Sequence, residues 1–221
     1  MNYFAHGCRF VDDPYFLAGT AVPDWLSVVN RKVRAREKQA ALLTDHEDRR
    51  VASLARGIVR HHRDDAWFHL SRAFSELSLR FAVQIRGALP GDEGFRPSFL
   101  GHIIVELLLD AILIQPDPVR LDEYYAALEK VDPALVESTV GLISGRPASG
   151  LADLIPIFLR ERFLWDYSDD GKLLFRLNQV MRRVQLPALP KSFCNLLPSM
   201  RHEVHERFFE LNAGPVSVES L

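Results

Sequence analysis

Apolar residues recur along most of this chain at intervals of three and four. That is the period of a helix laid against a core, and no stretch alternates convincingly as a strand does. Over about 45–63, Val51, Leu54, Ala55 and Ile58 share one face and predict a helix. Thr44 and Glu47 have capping-box spacing and predict its start. Phe68, Phe74, Leu77, Phe81 and Ile85 predict a second helix over about 66–88, unless the two form one long kinked helix. The segment 89–97, LPGDEGFRP, predicts a loop. Residues 98–115 are apolar nearly all round, which predicts a buried helix.

Asp117-Pro118 and Asp132-Pro133 each read as a helix cap followed by a first-turn proline. They predict helices reaching about Lys130 and about Gly145. Further helices are predicted over 149–164, bent at Pro156, over 169–184, and over 191–211, with LPALPK at 186–191 as a stiff connector. Residues 212–221 are predicted to fray. At the other end, short apolar pieces are broken by Asp12, Asp13, Pro14, Gly19 and Pro23, and a helix is predicted to begin near Asp24. The fold class is all-α, a multi-helix bundle in one domain over 1–221. Candidate chemistry falls in 1–116, and 117–221 forms a helical second half.

Of the 221 residues, 48% are hydrophobic and 25% charged, so a full core needs no disulfide. The net charge of −2 makes no electrostatic case for nucleic acid or an acidic membrane surface. The basic stretch 30–38, NRKVRAREK, reads as a solvated face, with nucleic-acid contact as the weaker alternative. Cys8 and Cys194, the only cysteines, favour a reducing compartment. No run of about 18 apolar residues reads as a membrane span, and no signal pattern opens the chain. The expectation is a cytoplasmic protein.

Two segments change this picture. His61, Asp65 and His69 follow one another at i, i+4 spacing, as do His102, Glu106 and Asp110. Side chains so spaced lie one above another on a helix, so each segment can aim an imidazole and a carboxylate at one point. His6 and Asp24 add to the set. Nitrogen and carboxylate donors without thiolates suit zinc, manganese or iron and leave positions open for water. A water so held becomes a nucleophile near neutral pH, and a pair of ions about 3.5–4 Å apart can clamp a phosphate ester. Plainer readings stand beside this one. His61 with Asp65 can be an ordinary hydrogen bond, His102 with Glu106 a buried polar network, and Asp24 an N-cap. Asp110 can meet solvent near its helix end, and His69 can cap or pack. His62, Asp64, His202 and His205 read as exposed.

Several strings occur in a telling order: Met1-Asn2-Tyr3-Phe4-Ala5-His6, Leu17-Ala18-Gly19, Asp24-Trp25, Arg31-Lys32, then Gly57-Ile58 with His61, Arg63 and Asp65. Over about residues 1–110 the chain resembles the acyl carrier protein phosphodiesterase family, a helical relative of HD-type metal-dependent phosphohydrolases. It departs where that family has Thr-Asp and this chain has Phe68-His69. It departs again where the family has an Asp-x-x-x-Asp-His cluster and this chain has His102, Glu106 and Asp110. The resemblance implies hydrolysis of a phosphate ester or phosphodiester, on a phosphorylated small molecule or a phosphopantetheinyl-type substrate. It implies one or two divalent transition metal ions (Mn, Zn or Fe) on His6, Asp24, His61, Asp65, His102 and Glu106. Asp110 or His69 would serve as general acid or base, and Arg60 and Arg63 would neutralise phosphate oxygens. The alternative is a non-enzymatic helical scaffold or partner-binding protein on a diverged hydrolase fold.

Overall fold

Several helices of this chain begin where a short side chain takes up an open N–H group of the first turn. The computed structural model describes residues 1–89 and 94–214. Asp13 accepts from the Phe16 N–H at the start of α2 (Pro14–Val29). Ser71 does so for α5 (Arg72–Ala88), Asp117 for α7 (Pro118–Leu128) and Asp132 for α8 (Pro133–Ser144). Each such cap is worth about 1 kcal/mol. The remaining helices are α1 (Tyr3–Gly7), α3 (Glu37–Ala40), α4 (Arg49–Leu70), α6 (Pro97–Ile114), α9 (Leu151–Glu161), α10 (Asp170–Arg183), α11 (Leu197–Glu206) and α12 (Phe208–Leu211). Short 3-10 turns occupy Ala41–Leu43, Phe163–Ser168 and Lys191–Leu196. No strand occurs among the described residues, and the all-α class holds.

Several boundaries differ from expectation. Asp24 lies inside α2, which starts ten residues earlier at the Asp13-Pro14 cap. The Thr44–Glu47 box does not form. The Thr44 hydroxyl donates to the Ala41 carbonyl, and Asp48 takes the Arg50 N–H as α4 begins. The break expected near 63–66 falls at Ser71, because the cap there ends a helix that periodicity alone cannot end. The helix expected over 191–211 is three shorter pieces. Residues 90–93 of the expected loop, and 215–221 of the expected frayed end, lie outside the described residues.

The chain divides into two compact units, Met1–Ala66 with Asp117–Arg162, and Trp67–Pro116 with Phe163–Leu221. In the first, Phe4, Leu17, Trp25, Leu54, Ile58, Tyr124 and Tyr125 are essentially fully buried. Two glycines set its helix crossing. A Cβ on Gly19 of α2 would stand 2.2 Å from the Leu54 carbonyl oxygen, and one on Gly57 of α4 would stand 2.1 Å from that of Phe16. Only hydrogen fits there, so α2 and α4 touch backbone to backbone. This crossing carries Thr20 up to His61.

In the second unit, α5 packs along α6, and Phe81, Ile85, Leu100 and Ile104 fill the seam. Gly101 again lets backbones meet, since a Cβ there would stand 2.4 Å from the Ser78 oxygen. By length and composition alone α6 is long and apolar enough to cross a membrane, with mean hydropathy 1.8. It is 61% buried inside the protein, as a core helix also is. In the basic stretch, Arg31, Lys32, Arg34, Arg36 and Lys38 are exposed, while Val33 and Ala35 are buried.

Candidate metal centre

Three side chains of the first unit converge under the α2–α4 crossing. His6 comes from α1, and His61 and Asp65 from successive turns of α4. The two imidazoles stack, with centroids 4.1 Å apart and planes at 26°. His6 is 1% exposed and His61 also buried. His61 Nδ1 lies 2.8 Å from the Thr20 carbonyl oxygen. A carbonyl only accepts, so Nδ1 carries a proton, and Nε2 is the nitrogen left to ligate. That nitrogen lies 3.4 Å from Asp65 Oδ2, and His6 Nε2 lies 3.2 Å from Asp65 Oδ1.

These side chains fit a cation. The donor atoms of the triad lie within 4.8 Å of one another. Both ring nitrogens of His6 are buried and make no hydrogen bond, where each such group costs about 1–3 kcal/mol if left unsatisfied. Nitrogen donors with a carboxylate suit zinc, manganese or iron, and the Thr20 bond is the outer contact that orients a ligating imidazole. Burial alone would raise the Asp65 carboxyl, but the rings of His6 and His61 and the Met1 amino group hold it far below the ordinary aspartate range. The Met1 amino group donates to Asp65 Oδ1 at 2.7 Å.

Asp64, expected to be an exposed neighbour, is 4% exposed. Its Oδ1 accepts from Arg60 Nε at 2.7 Å, and its Oδ2 lies 3.6 Å from His6 Nδ1. Burial works against its charge, yet His6 and Arg60 hold the carboxyl below its usual range. Adjacent acids thus face opposite nitrogens of one ring. Arg60 is engaged by Asp64, and Arg63 by Glu37 at 3.0 Å. His62 Nε2 lies 2.7 Å from the Ala35 carbonyl oxygen, and so donates to it.

The second unit has its own group. His69 Nε2 at the end of α4 lies 2.9 Å from Glu106 Oε1, and His102 Nε2 lies 3.3 Å from the same oxygen. Phe74 braces both rings, with centroids 4.9 Å from His69 and 4.8 Å from His102. The side chains of His69 and His102 are 33% and 42% exposed, so the apolar helix does not bury His102 as its sequence suggests. Burial opposes ionisation of Glu106, and these imidazoles are among the groups that keep its carboxyl below the glutamate range.

Of the six expected ligands, five fall in these two triads. Asp24 belongs to neither and stands half-buried on α2. His69, expected as a proton carrier, joins His102 and Glu106 as a third donor. Asp110, expected either to carry protons or to meet solvent, is fully buried in α6 and belongs to neither triad. His202 and His205 are exposed, as expected. Sequence reasoning missed Asp64 and Thr20. The i, i+4 spacing of Arg60 and Asp64 is visible in the sequence but is equally that of a surface ion pair, and a backbone carbonyl such as that of Thr20 leaves no signal. Comparison with family models, curated proteins and solved structures finds no match for this chain. Fold and side chains together define an all-α protein with two groups that could each hold a metal ion.

Proposed function

We propose that this chain is a metal-dependent hydrolase of a phosphate ester or phosphodiester, centred on His6, His61 and Asp65. One observation carries the reading: two buried, stacked imidazoles turn Nε2 toward one carboxylate, and Thr20 fixes the tautomer of one of them. When bound, a divalent cation supplies Lewis acidity and brings the pKa of water toward neutrality. The chain's part is to hold the donors rigid, through the glycine crossing and the Thr20 bond. His69, His102 and Glu106 form a second, more solvent-open group, in keeping with one or two ions of Mn, Zn or Fe. Asp110, buried in α6, belongs to neither group of donors. The substrate class, a phosphorylated small molecule or a phosphopantetheinyl-type ester, and the cytoplasmic setting rest on sequence alone.

The test is metal content of the purified protein, followed by hydrolysis of a chromogenic phosphodiester with and without added Mn²⁺ or Zn²⁺. Cation-dependent turnover lost in His61→Ala supports the reading, and turnover indifferent to chelation overturns it.

A second reading is favoured by the 2.7 Å contact between the Met1 amino group and Asp65. An ammonium there satisfies the acid with no metal, and the fold is then a non-catalytic helical scaffold. Protein that takes up no transition cation selects this reading.

A further inference from the structure

The two stacked imidazoles have different outer partners. His61 Nδ1 is tied to a neutral backbone carbonyl. His6 Nδ1 instead faces Asp64, 3.6 Å away, and makes no hydrogen bond. Asp64 is buried, belongs to neither donor triad, and is anchored through its other oxygen by Arg60, which also lies over the Phe10 ring at 5.5 Å. A buried carboxylate fixed on one side and turned toward a ligand-type imidazole on the other is placed as an outer contact to a metal ligand.

We propose that Asp64 is a positioning residue for His6: its Oδ2 accepts the Nδ1 proton, leaves the Nε2 lone pair toward Asp65, and is itself held by Arg60. The inference rests on the cation reading given above. A shift of under about 1 Å closes the gap to hydrogen-bond length. The arrangement gives His6 a charged acceptor and His61 a neutral one, so His6 is the more strongly donating of the two rings.

Chemistry makes one variant decisive. In Asp64→Asn the side-chain shape is kept, but its NH₂ group cannot face Arg60, which has only donors. The amide oxygen must take Arg60, and the NH₂ must face His6 Nδ1. That nitrogen then becomes the acceptor, and the proton moves to Nε2, the atom needed for ligation. Exchange of Asp for Asn beside a histidine elsewhere sets the wrong tautomer in this way. Adding Arg60→Gln supplies an acceptor at residue 60, lets the amide turn over, and returns an oxygen to His6. A role in packing alone gives no such reversal.

The experiment measures Zn²⁺ affinity by chelator competition, and the His6 tautomer by nitrogen NMR, in the full chain. The wild type is expected to carry the proton on Nδ1. Asp64→Asn is expected to move it to Nε2 and weaken Zn²⁺ about 10- to 100-fold, and Asp64→Asn with Arg60→Gln to recover part of that loss. Equal Zn²⁺ affinity in wild type and Asp64→Asn, with the same tautomer in both, overturns the proposal. So does a wild-type His6 ring protonated at Nε2 and not at Nδ1, a result that needs no variant to fold. If the wild type binds no Zn²⁺, the metal reading fails by itself, and the tautomer comparison alone decides the role of Asp64.

Discussion

His61 shows how a single side chain is committed by its neighbours. The Thr20 carbonyl takes one ring nitrogen, Asp65 stands opposite the other, and the His6 ring covers a face. His61→Ala is expected to abolish uptake at this triad while far-ultraviolet circular dichroism stays helical, because the fold rests on α2–α4 packing and not on the imidazole. Elemental analysis beside that spectrum checks it. The two buried acids make a different prediction. Both carboxyls ionise more readily in the fold than in the unfolded chain. The unfolded chain therefore binds more protons in acid, and their contribution is complete above about pH 3.9 and lost as pH falls below it. Urea unfolding of metal-free protein between pH 5 and 3 is expected to show falling stability, with a shallower fall in Asp65→Asn. Spacing in the sequence made His61, Asp65, His102 and Glu106 legible as donors. It could not show Asp64 as buried, because its i, i+4 relation to Arg60 is equally that of a surface ion pair.

Helices α7 and α8 were legible because an apolar period follows an Asp-Pro cap, although the same pair at Asp13-Pro14 heads α2 and was not read as its start. Asp117-Pro118 and Asp132-Pro133 start α7 and α8 where the sequence places them. The α4–α5 break was not legible, since apolar spacing continues across Ser71 and the cap is a local hydrogen bond. Thr44 failed as a cap for the opposite reason: its hydroxyl found the Ala41 carbonyl first, the competition that makes such residues ambiguous. The helix crossing was hidden as well, because a glycine within a helical pattern does not name the backbone it will meet. Gly57→Ala places a methyl against the Phe16 carbonyl oxygen. It is expected to cost about 1–3 kcal/mol or more, read as a lower midpoint in urea. The same variant is expected to weaken cation binding at His61, since Thr20 is carried away from it. Unchanged stability would mean the crossing relaxes at no cost.

At the scale of the molecule, the period of the sequence settles the class, and the two compact units are each built from segments distant in sequence. That interleaving has no signature in composition or hydropathy, so division into a first and second half along the chain was the natural reading. The donors expected around one point form two triads, one within each unit. Imidazole ligands must be neutral to bind, so acidification is expected to release bound metal before the fold is lost, with metal content falling at pH values where circular dichroism is unchanged. The most direct measurement is a titration of purified, chelator-treated chain with Mn²⁺, Zn²⁺ and Fe²⁺, followed by metal analysis after desalting. The account predicts at least one retained ion per chain, lost in His61→Ala with the helical fold intact. A wild-type chain that retains none, or a His61→Ala chain that retains as much as wild type, contradicts it.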